Sequence, residues 1–206
     1  MALKPIRSIF ANIILLFVLS AAFIPTYGVR ALGSHSHTET LPLLSIFVSE
    51  VKNGQSDQLR GIYIPKILAA PVVQQPKGNN GFVSSRQNVV TQFGLASQFR
   101  SIGLLAHNNL VGATFSELET DQKIYLIYGD GQISTFVVTE ILRYQALRPT
   151  SPSSKFIDLK TNDLLKASEV FSSVYERQGQ VIFQTCISKG DELSWGRLFV
   201  IAEPES

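Results

Sequence analysis

From Arg60 onward the chain consists largely of short apolar, β-branched and aromatic runs separated by turn signals. Such runs are typical of β-strands. The longest, "KIYLIYGDGQISTFVVTEILRY", predicts a hairpin with Asp130-Gly131 in its turn. The other predicted strands are "GIYIPKI", "APVVQQ", "SIGLLAH", "QVIFQTCI" and "RLFVIAE". About seven closely spaced strands favour a β-barrel or β-sandwich over a βαβ sheet.

Two segments in this region have the pattern of helices. "TNDLLKASEVFSSVYERQG" predicts a helix with Thr161 or Asn162 as its N-cap and Gly179 as its stop. The short stretch "TFSELE" predicts one more helical turn, and "LLSIFVSEVKN" forms an element whose type the pattern does not assign. The core-facing positions of the longer helix are predicted to be Leu164, Ala167, Phe171 and Val174.

The first 31 residues have a different pattern. Lys4 and Arg7 precede an uncharged apolar run from Ile9 to Ile24, which predicts an apolar helix. That run would be about 24 Å long as a helix, and extending it to Val29 gives the roughly 30 Å that crosses a bilayer. Residues 1–31 are therefore a membrane anchor or a cleaved signal peptide, and either one predicts export of the rest.

Two further regions follow this segment. Residues 32–59 are expected to be a linker and lead-in, and residues 60–206 the β-rich catalytic domain. His35 and His37 lie in the linker with no other metal-ligating side chains clustered near them, so this pair does not predict a metal site. No cofactor is predicted.

The charge balance excludes one class of function. The net charge is +2, but Lys4, Arg7 and Arg30 belong to the N-terminal segment. Without them, 15 basic residues stand against 16 acidic ones, which leaves −1. The domain therefore lacks the basic field that nucleic-acid binding needs.

Three residues of catalytic type fall at strand boundaries. Cys186 is the single cysteine, so it has no partner for an internal disulfide. His107 ends an apolar run, and Arg197 opens the last strand. In the predicted chemistry His107 shares a proton with Cys186, Cys186 attacks a carbonyl to form a thioester, and Arg197 holds the substrate or its oxyanion.

Each of these residues also has a structural interpretation. A lone cysteine in a strand is commonly a small buried apolar residue. A histidine at a strand end can be purely structural, and an arginine that opens a strand can be a surface charge. The residue types alone leave both interpretations open.

The order of these residues on an exported β-rich domain resembles the sortase family of cysteine transpeptidases. "GIYIPKILAAPVV" is similar to the family's opening "IxIPxI" strand, "LLAHNNLVGATFSELE" to its histidine segment, and "IFQTC" with "SWGRLFVIA" to its cysteine and arginine strands. The resemblance spans about residues 60–204. Ala106 departs from the glycine usual before the histidine, and Ile182 and Phe183 depart from the usual Thr and Leu.

The resemblance implies a closed β-barrel of about seven or eight strands with one or two short helices. It implies cleavage of a C-terminal sorting signal on exported proteins and transfer of the acyl group to an amine on the cell wall or on a partner protein. His107, Cys186 and Arg197 would be catalytic, the segment from Leu147 to Arg177 would wall the substrate groove, and Trp195 would pack beside it. No calcium site is carried over, because Glu117, Asp121 and the other acidic residues are few and dispersed.

Two other families of cysteine enzymes fit the sequence less well. Papain-like proteases place the cysteine before the histidine, and L,D-transpeptidases place glycine directly before the cysteine, where this chain has Thr185. A membrane-tethered sortase-like barrel that binds a partner without catalysis is the alternative from a different class.

Overall fold

The computed structural model describes residues 41–205, so the predicted N-terminal apolar helix lies outside the described residues. The described part contains the α-helices α1 (Leu44–Val51) and α2 (Ala167–Tyr175) and the 3-10 helices Gly94–Phe99 and Val111–Glu117. Its strands are β1 (Leu59–Ile64), β2 (Leu68–Gln74), β3 (Val90–Phe93), β4 (Ile102–Leu105), β5 (Lys123–Tyr128), β6 (Ile133–Ala146), β7 (Lys155–Asp158), β8 (Leu164–Lys166), β9 (Val181–Lys189) and β10 (Glu192–Pro204).

Eight of these strands form a closed barrel. Their order is β10-β9-β4-β3-β2-β1-β5-β6, and β6 pairs again with β10 to close the ring. Closure leaves no unpaired edge within the ring. β7 and β8 continue the sheet outward from β6. The prediction of a mainly β fold with a closed barrel is confirmed.

The barrel is filled by one apolar cluster to which all eight strands contribute. Leu104, Phe183 and Leu198 belong to it and are at most 2% exposed. The 3-10 helix Val111–Glu117 adds Phe115, whose ring packs edge-to-face on Phe183 with the centroids 5.1 Å apart. Side chains alternate between the two faces of a strand. The residues that alternate with these inward-pointing residues along each strand therefore point outward.

A second cluster covers part of the outer face of the barrel. α2 packs Phe171, Val174 and Tyr175 against outward-pointing residues such as Phe199. Tyr175 is fixed by hydrogen bonds as well, because its hydroxyl donates to Gln184 Oε1 at 2.5 Å and its carbonyl accepts from Ser101 Oγ at 2.8 Å. α2 is therefore held to β9 by both apolar packing and a buried polar contact.

α1 covers another part of the barrel, and the lead-in element left unassigned by the sequence is thus a helix. Phe47 and Val51 on α1 pack against Ala69 and Ile127 of the barrel. Gly61 on β1 lies beneath them, because a Cβ there would be 2.9 Å from the Phe47 ring. None of the helices within residues 41–205 has the length and apolar character needed to cross a membrane.

The β5–β6 hairpin is confirmed. Gly131 at its turn has φ +92°, a conformation that glycine adopts without steric cost. Asp130 Oδ1 accepts a hydrogen bond from the Gln132 amide at 2.9 Å. The Asp-Gly pair thus supplies both the side-chain acceptor and the positive φ that the turn requires.

The predicted start of the long helix is wrong. Thr161 and Asn162 do not cap it, because Leu164–Lys166 is strand β8 and pairs with β7. The helix begins only at Ala167, where Glu169 Oε2 accepts from the Lys166 amide at 2.6 Å. It ends at Tyr175, four residues before Gly179.

The predicted burial of this helix is confirmed at three of four positions. Ala167, Phe171 and Val174 are buried. Leu164 is 56% exposed, because it lies on the short outer strand β8 and not on the helix.

Candidate active site

Cys186 and Arg197 lie directly opposite each other on β9 and β10. They are Cα partners in the antiparallel register of these strands. Residues that face each other in an antiparallel pair point to the same side of the sheet, with their Cβ atoms about 5 Å apart. The closing hairpin therefore brings the predicted nucleophile and the predicted cation together.

His107 follows β4, the other neighbour of β9. The two strands are parallel, with Leu105 beside Gln184, and the Ala106 amide continues the ladder to the Gln184 carbonyl at 3.2 Å. His107 comes two residues after the last paired residue of β4, where the chain begins to turn, and its carbonyl accepts from the Leu110 amide at 3.0 Å. Cys186 therefore lies on the middle strand, with the histidine strand on one side and the arginine strand on the other.

All three residues belong to the outer face of the barrel. Leu105, Ile182 and Phe199 are members of the outer cluster. Each lies an even number of positions along its strand from His107, Cys186 or Arg197, and alternation gives residues at even spacing the same face. The three side chains thus project on the side of the sheet that α2 partly covers.

The histidine segment is locked to the cysteine strand at close range. Thr185 Oγ1 donates to the Ala106 carbonyl at 2.9 Å, and the Gly112 amide donates to the His107 carbonyl at 3.0 Å. A Cβ at position 112 would be 2.6 Å from both the His107 carbonyl and Thr185 Oγ1. Gly112 is needed here because no side chain fits between these atoms.

Cys186 is nearly buried but borders an open cleft. Its residue is 5% exposed. The cleft has a volume of about 300 Å³ and is also lined by Asn108, Gly112, Arg143 and Leu198. Space for a substrate segment therefore adjoins Cys186, although neither His107 nor Arg197 lines it.

Burial and charge act in opposite directions on the thiol. Burial raises the pKa of Cys186, whereas the charge of Arg197 and a hydrogen bond from the Ser194 side chain lower it. The charge of Glu192 raises it further. Burial is the largest of these effects, so the pKa lies above its ordinary value and the resting side chain is a neutral thiol.

Arg197 is 1% exposed and is held by backbone carbonyls. Nη1 donates to the carbonyls of Ser194 at 2.9 Å and Gly196 at 2.8 Å, and Nη2 donates to the Pro149 carbonyl at 3.3 Å. Burial lowers the pKa of Arg197, opposed by Cys186 and Glu192. Arginine nevertheless stays a cation near neutral pH, so a positive charge is fixed beside the sulfur.

His107 is half-buried. Burial lowers its pKa, and a hydrogen bond with the backbone of Val83 raises it in part. The net direction leaves the imidazole neutral at pH 7, since even the ordinary pKa of about 6.5 is below that pH. Neither the histidine nor the cysteine has the other among the causes of its pKa shift.

Solved structures with a similar fold are sortases. Sortase C-1 from Actinomyces oris is 16% identical and has a TM-score of 0.50, with 81% of this chain and 83% of that chain covered. Sortase C1 from Streptococcus suis is 13% identical (TM-score 0.49, 79% and 78% covered). A lid mutant of sortase A from Corynebacterium diphtheriae is 12% identical (TM-score 0.48, 72% and 70% covered).

The chain has a sortase-like fold. The Actinomyces oris enzyme carries this conclusion, and at 16% identity the likeness concerns the fold alone. No protein-family model matches the sequence, and no curated protein does.

The outer face of this sortase-like barrel holds chemistry suited to acyl transfer. The thiol of Cys186 and the guanidinium of Arg197 lie on adjacent strands, the imidazole of His107 follows the strand on the other side, and Cys186 borders a cleft. A neutral imidazole can accept the proton of a neutral thiol as the sulfur attacks a carbonyl. Within residues 41–205, no three His, Cys, Asp or Glu side chains cluster as metal ligands would.

The segment expected to wall the groove contributes at two points. Pro149, in the loop between β6 and β7, places its carbonyl on Arg197, and Leu159, after β7, lines the cleft beside Cys186. Trp195 is half-buried, and its ring lies under Lys189 with Nζ 4.7 Å from the ring centroid. This contact supports a packing role for Trp195 at the end of the closing hairpin.

Sequence reasoning missed two contributors. The Ser194 carbonyl accepts a hydrogen bond from Arg197 Nη1 at 2.9 Å, and Asn108 Nδ2 donates to the Leu193 carbonyl at 2.9 Å. Asn108 adjoins His107 in sequence, which is the only signal that marks it. No sequence signal marks Ser194. It lies three residues before Arg197, so in a regular strand its side chain would point to the opposite face.

Proposed function

We propose that the chain is a cysteine transpeptidase that cleaves a C-terminal sorting signal of exported proteins and transfers the acyl group to an amine. The observation that carries the proposal is the register of β9 and β10, which sets Cys186 opposite Arg197, with His107 following the neighbouring strand β4 and Cys186 bordering a cleft. The sortase-like fold supports it, since the sequence motifs that resemble the sortase family fall on these same strands.

In the first half-reaction the Cys186 sulfur attacks the carbonyl carbon of the scissile peptide bond. The thiol proton passes to His107 as the C–S bond forms. The C–N bond then breaks, and the imidazolium gives its proton to the leaving amine. Arg197 supplies a fixed positive charge for the oxyanion, and its present bond to the Pro149 carbonyl must yield if the guanidinium is to donate to substrate.

In the second half-reaction an amine attacks the thioester. A new C–N bond forms as the C–S bond breaks, and His107 takes a proton from the attacking nitrogen and returns one to the sulfur. The acceptor amine would lie on the cell wall or on a partner protein, for surface anchoring or pilin-type polymerisation. The apolar segment of residues 9–24 would hold the domain at the outer face of the membrane or direct its secretion.

The burial of Cys186 favours one alternative, a barrel that binds a sorting-signal-like segment without cleaving it. A thiol that is 5% exposed with a raised pKa is a weak nucleophile at rest. In this alternative the cleft beside Cys186 would be the binding groove. Reaction of Cys186 with a small alkylating agent distinguishes the two, because an enzyme loses reactivity on His107→Ala and a binding module does not.

The full chain is mixed with a library of sorting-signal peptides and hydroxylamine, a small amine that captures a thioester as a hydroxamate. The expected result is a hydroxamate product from at least one peptide, absent in Cys186→Ala. Absence of both cleavage and hydroxamate across the library would contradict the proposal. Ser49→Ala, at an exposed position on α1 and not in the cleft, serves as the control and is expected to keep the activity.

A further inference from the structure

The cleft beside Cys186 is lined by a charged side chain that has no role in the proposed acyl transfer. Arg143 lines it from β6, which is the neighbour of β10 on the side away from β9. Thr185, Leu198 and Arg143 are level with one another on β9, β10 and β6. Arg143 therefore lies two strands from the strand of Cys186, in the adjacent row of residues.

Arg143 is exposed, and its guanidinium has no partner within residues 41–205. Neither a salt bridge nor a side-chain hydrogen bond joins it to any residue of that range. Arg177, by comparison, pairs with Glu140 at 2.7 Å. The donors of the Arg143 fork are therefore available to a ligand.

The charge of Arg143 is not balanced within the cleft. Among the described residues that line the cleft it is the one ionised side chain, and the polar ones, such as Asn108, Ser116 and Ser188, are neutral. No lining carboxylate competes for the guanidinium. A negatively charged group of a ligand would therefore be attracted into the cleft.

We propose that the cleft is a subsite for a carboxylate carried by a substrate segment next to the scissile bond, and that Arg143 is the residue that selects it. This inference rests on the proposed function and adds a specificity to it. A guanidinium binds a carboxylate through two parallel N–H···O bonds, which supply orientation as well as affinity.

Strand spacing limits where that carboxylate lies on the substrate. Neighbouring strands are about 4.8 Å apart, so the backbones of Arg143 and Thr185 are separated by roughly 10 Å. An extended peptide advances about 3.3 Å per residue. A carboxylate within about three residues of a carbonyl at Cys186 can therefore reach the guanidinium, and the cleft of about 300 Å³ suits such a short segment.

Two sources supply a carboxylate at this distance. One is an acidic side chain of the peptide that is cleaved. The other is a carboxylate on the amine that accepts the acyl group. The recognition chemistry at Arg143 is the same for both sources.

The first test needs no peptide substrate. Cys186 of the full chain is alkylated with two probes of the same shape, the iodoacetyl derivatives of glutamic acid α-amide and of glutamine α-amide, and the rates are measured by intact mass. The chain has a single cysteine, so each adduct reports on this residue. The ratio of the two rates is the readout, because the fraction of thiolate cancels in it.

The parent is expected to favour the acidic probe, and Arg143→Gln is expected to lower the rate ratio by about two- to fivefold. Arg143→Lys, which keeps the charge, is expected to retain most of it. Arg100→Gln is the matched control, since Arg100 is exposed and does not line the cleft. A ratio in Arg143→Gln equal to that of the parent would overturn the inference.

The second test distinguishes the two sources. Cleavage is measured for peptides with glutamate or glutamine at each of three positions on either side of the scissile bond, and transfer is measured to glycine and to glycinamide. A lower KM of the parent for one glutamate peptide, lost in Arg143→Gln, identifies the cleaved peptide as the source. The same result for glycine over glycinamide identifies the acceptor.

A parent without preference in any pair, or a preference that Arg143→Gln keeps, would overturn the carboxylate subsite. Absence of cleavage with every peptide would instead contradict the proposed function. The alkylation ratio then decides the present inference without it.

Discussion

At the scale of single residues, the pKa of Cys186 is governed by burial, which the positive charge of Arg197 opposes. Burial dominates and raises the pKa of the thiol, while it lowers the pKa of His107. Both the thiol of Cys186 and the imidazole of His107 are therefore neutral at rest. A pair in this state needs substrate binding or proton transfer to create the thiolate, which keeps the thiol from reacting indiscriminately.

This balance predicts the pH dependence of the free thiol. Because the pKa of Cys186 is raised, its alkylation rate is expected to keep rising with pH beyond the point where a free cysteine peptide levels off. The measurement is a pH series of alkylation on the full chain beside that peptide. A profile that levels off at lower pH than the peptide would show that the thiolate is stabilised at rest.

A prediction for Arg197 follows from its fixed geometry. Arg197→Lys keeps the charge but loses the planar fork, whose Nη1 reaches the Ser194 and Gly196 carbonyls while Nη2 reaches the Pro149 carbonyl. If Arg197 stabilises the oxyanion, kcat is expected to fall by about 100- to 1,000-fold. Peptide-cleavage kinetics provide the measurement.

Arg100→Lys is the matched control for this variant, because Arg100 is an exposed arginine that does not line the cleft. It is expected to change kcat little. Equal effects of the two substitutions would assign Arg197 a general electrostatic role and not a site-specific one.

Residue types identified His107, Cys186 and Arg197 as candidates because each type has few catalytic uses and each residue lay at a strand end. Their grouping depends on strand register, which a single sequence does not state. The position of Ser194 could not be predicted, because it arises from an irregularity of β10 in which residues 193–195 together oppose Ser188 alone. No local sequence signal distinguishes that serine from an ordinary turn residue.

At the scale of elements, the close approach of the 3-10 helix Val111–Glu117 to β9 and to the segment after β4 depends on Gly112. In Gly112→Ala the new Cβ would lie 2.6 Å from Thr185 Oγ1 and from the His107 carbonyl. Overpacking of this kind costs about 1–3 kcal/mol, and we expect the displaced histidine segment to lower activity as well. Urea unfolding and the peptide-cleavage rate provide the two measurements.

Gly94→Ala is the control, since the only atom near its added Cβ is Gln75 Oε1 at 3.8 Å. We expect it to leave both stability and activity close to those of the parent. Full activity in Gly112→Ala would argue against the close locking of the His107 segment to Thr185.

The attachment of α2 to the barrel gives another prediction. Tyr175→Phe removes the hydroxyl that donates to Gln184 Oε1 and leaves that buried oxygen without this donor. The expected loss is about 1–3 kcal/mol of unfolding free energy, measured by urea denaturation. Tyr128→Phe, whose hydroxyl makes no hydrogen bond to the described residues, is the control and should lose much less. Equal losses would mean that the Tyr175–Gln184 bond adds no stability.

The elements were predictable to different degrees for physical reasons. The β5–β6 hairpin was predicted because Asp130-Gly131 fixes a turn by local chemistry. The start of α2 was misplaced because the helical pattern of "TNDLLKASEV" also suits a strand once β7 is available to pair with it. Strands as short as β3 and β8 carry too few residues to show a period.

At the scale of the whole molecule, barrel closure creates the candidate site. β9 pairs with β4 on one side and β10 on the other, and β10 then closes the ring against β6. Residues nearly eighty positions apart, His107 and Cys186, are thereby set on neighbouring strands. The interior is filled with apolar side chains, so a substrate is restricted to the outer face and the rim.

The account as a whole depends on Cys186 acting as an acyl carrier on that outer face. The most direct test is intact mass spectrometry of the full chain after brief reaction with a cleavable sorting-signal peptide. The account predicts a mass increase equal to the acyl fragment, located on Cys186, released by hydroxylamine and missing in His107→Ala. Peptide cleavage that persists in Cys186→Ala, with no adduct on the parent chain, would contradict it.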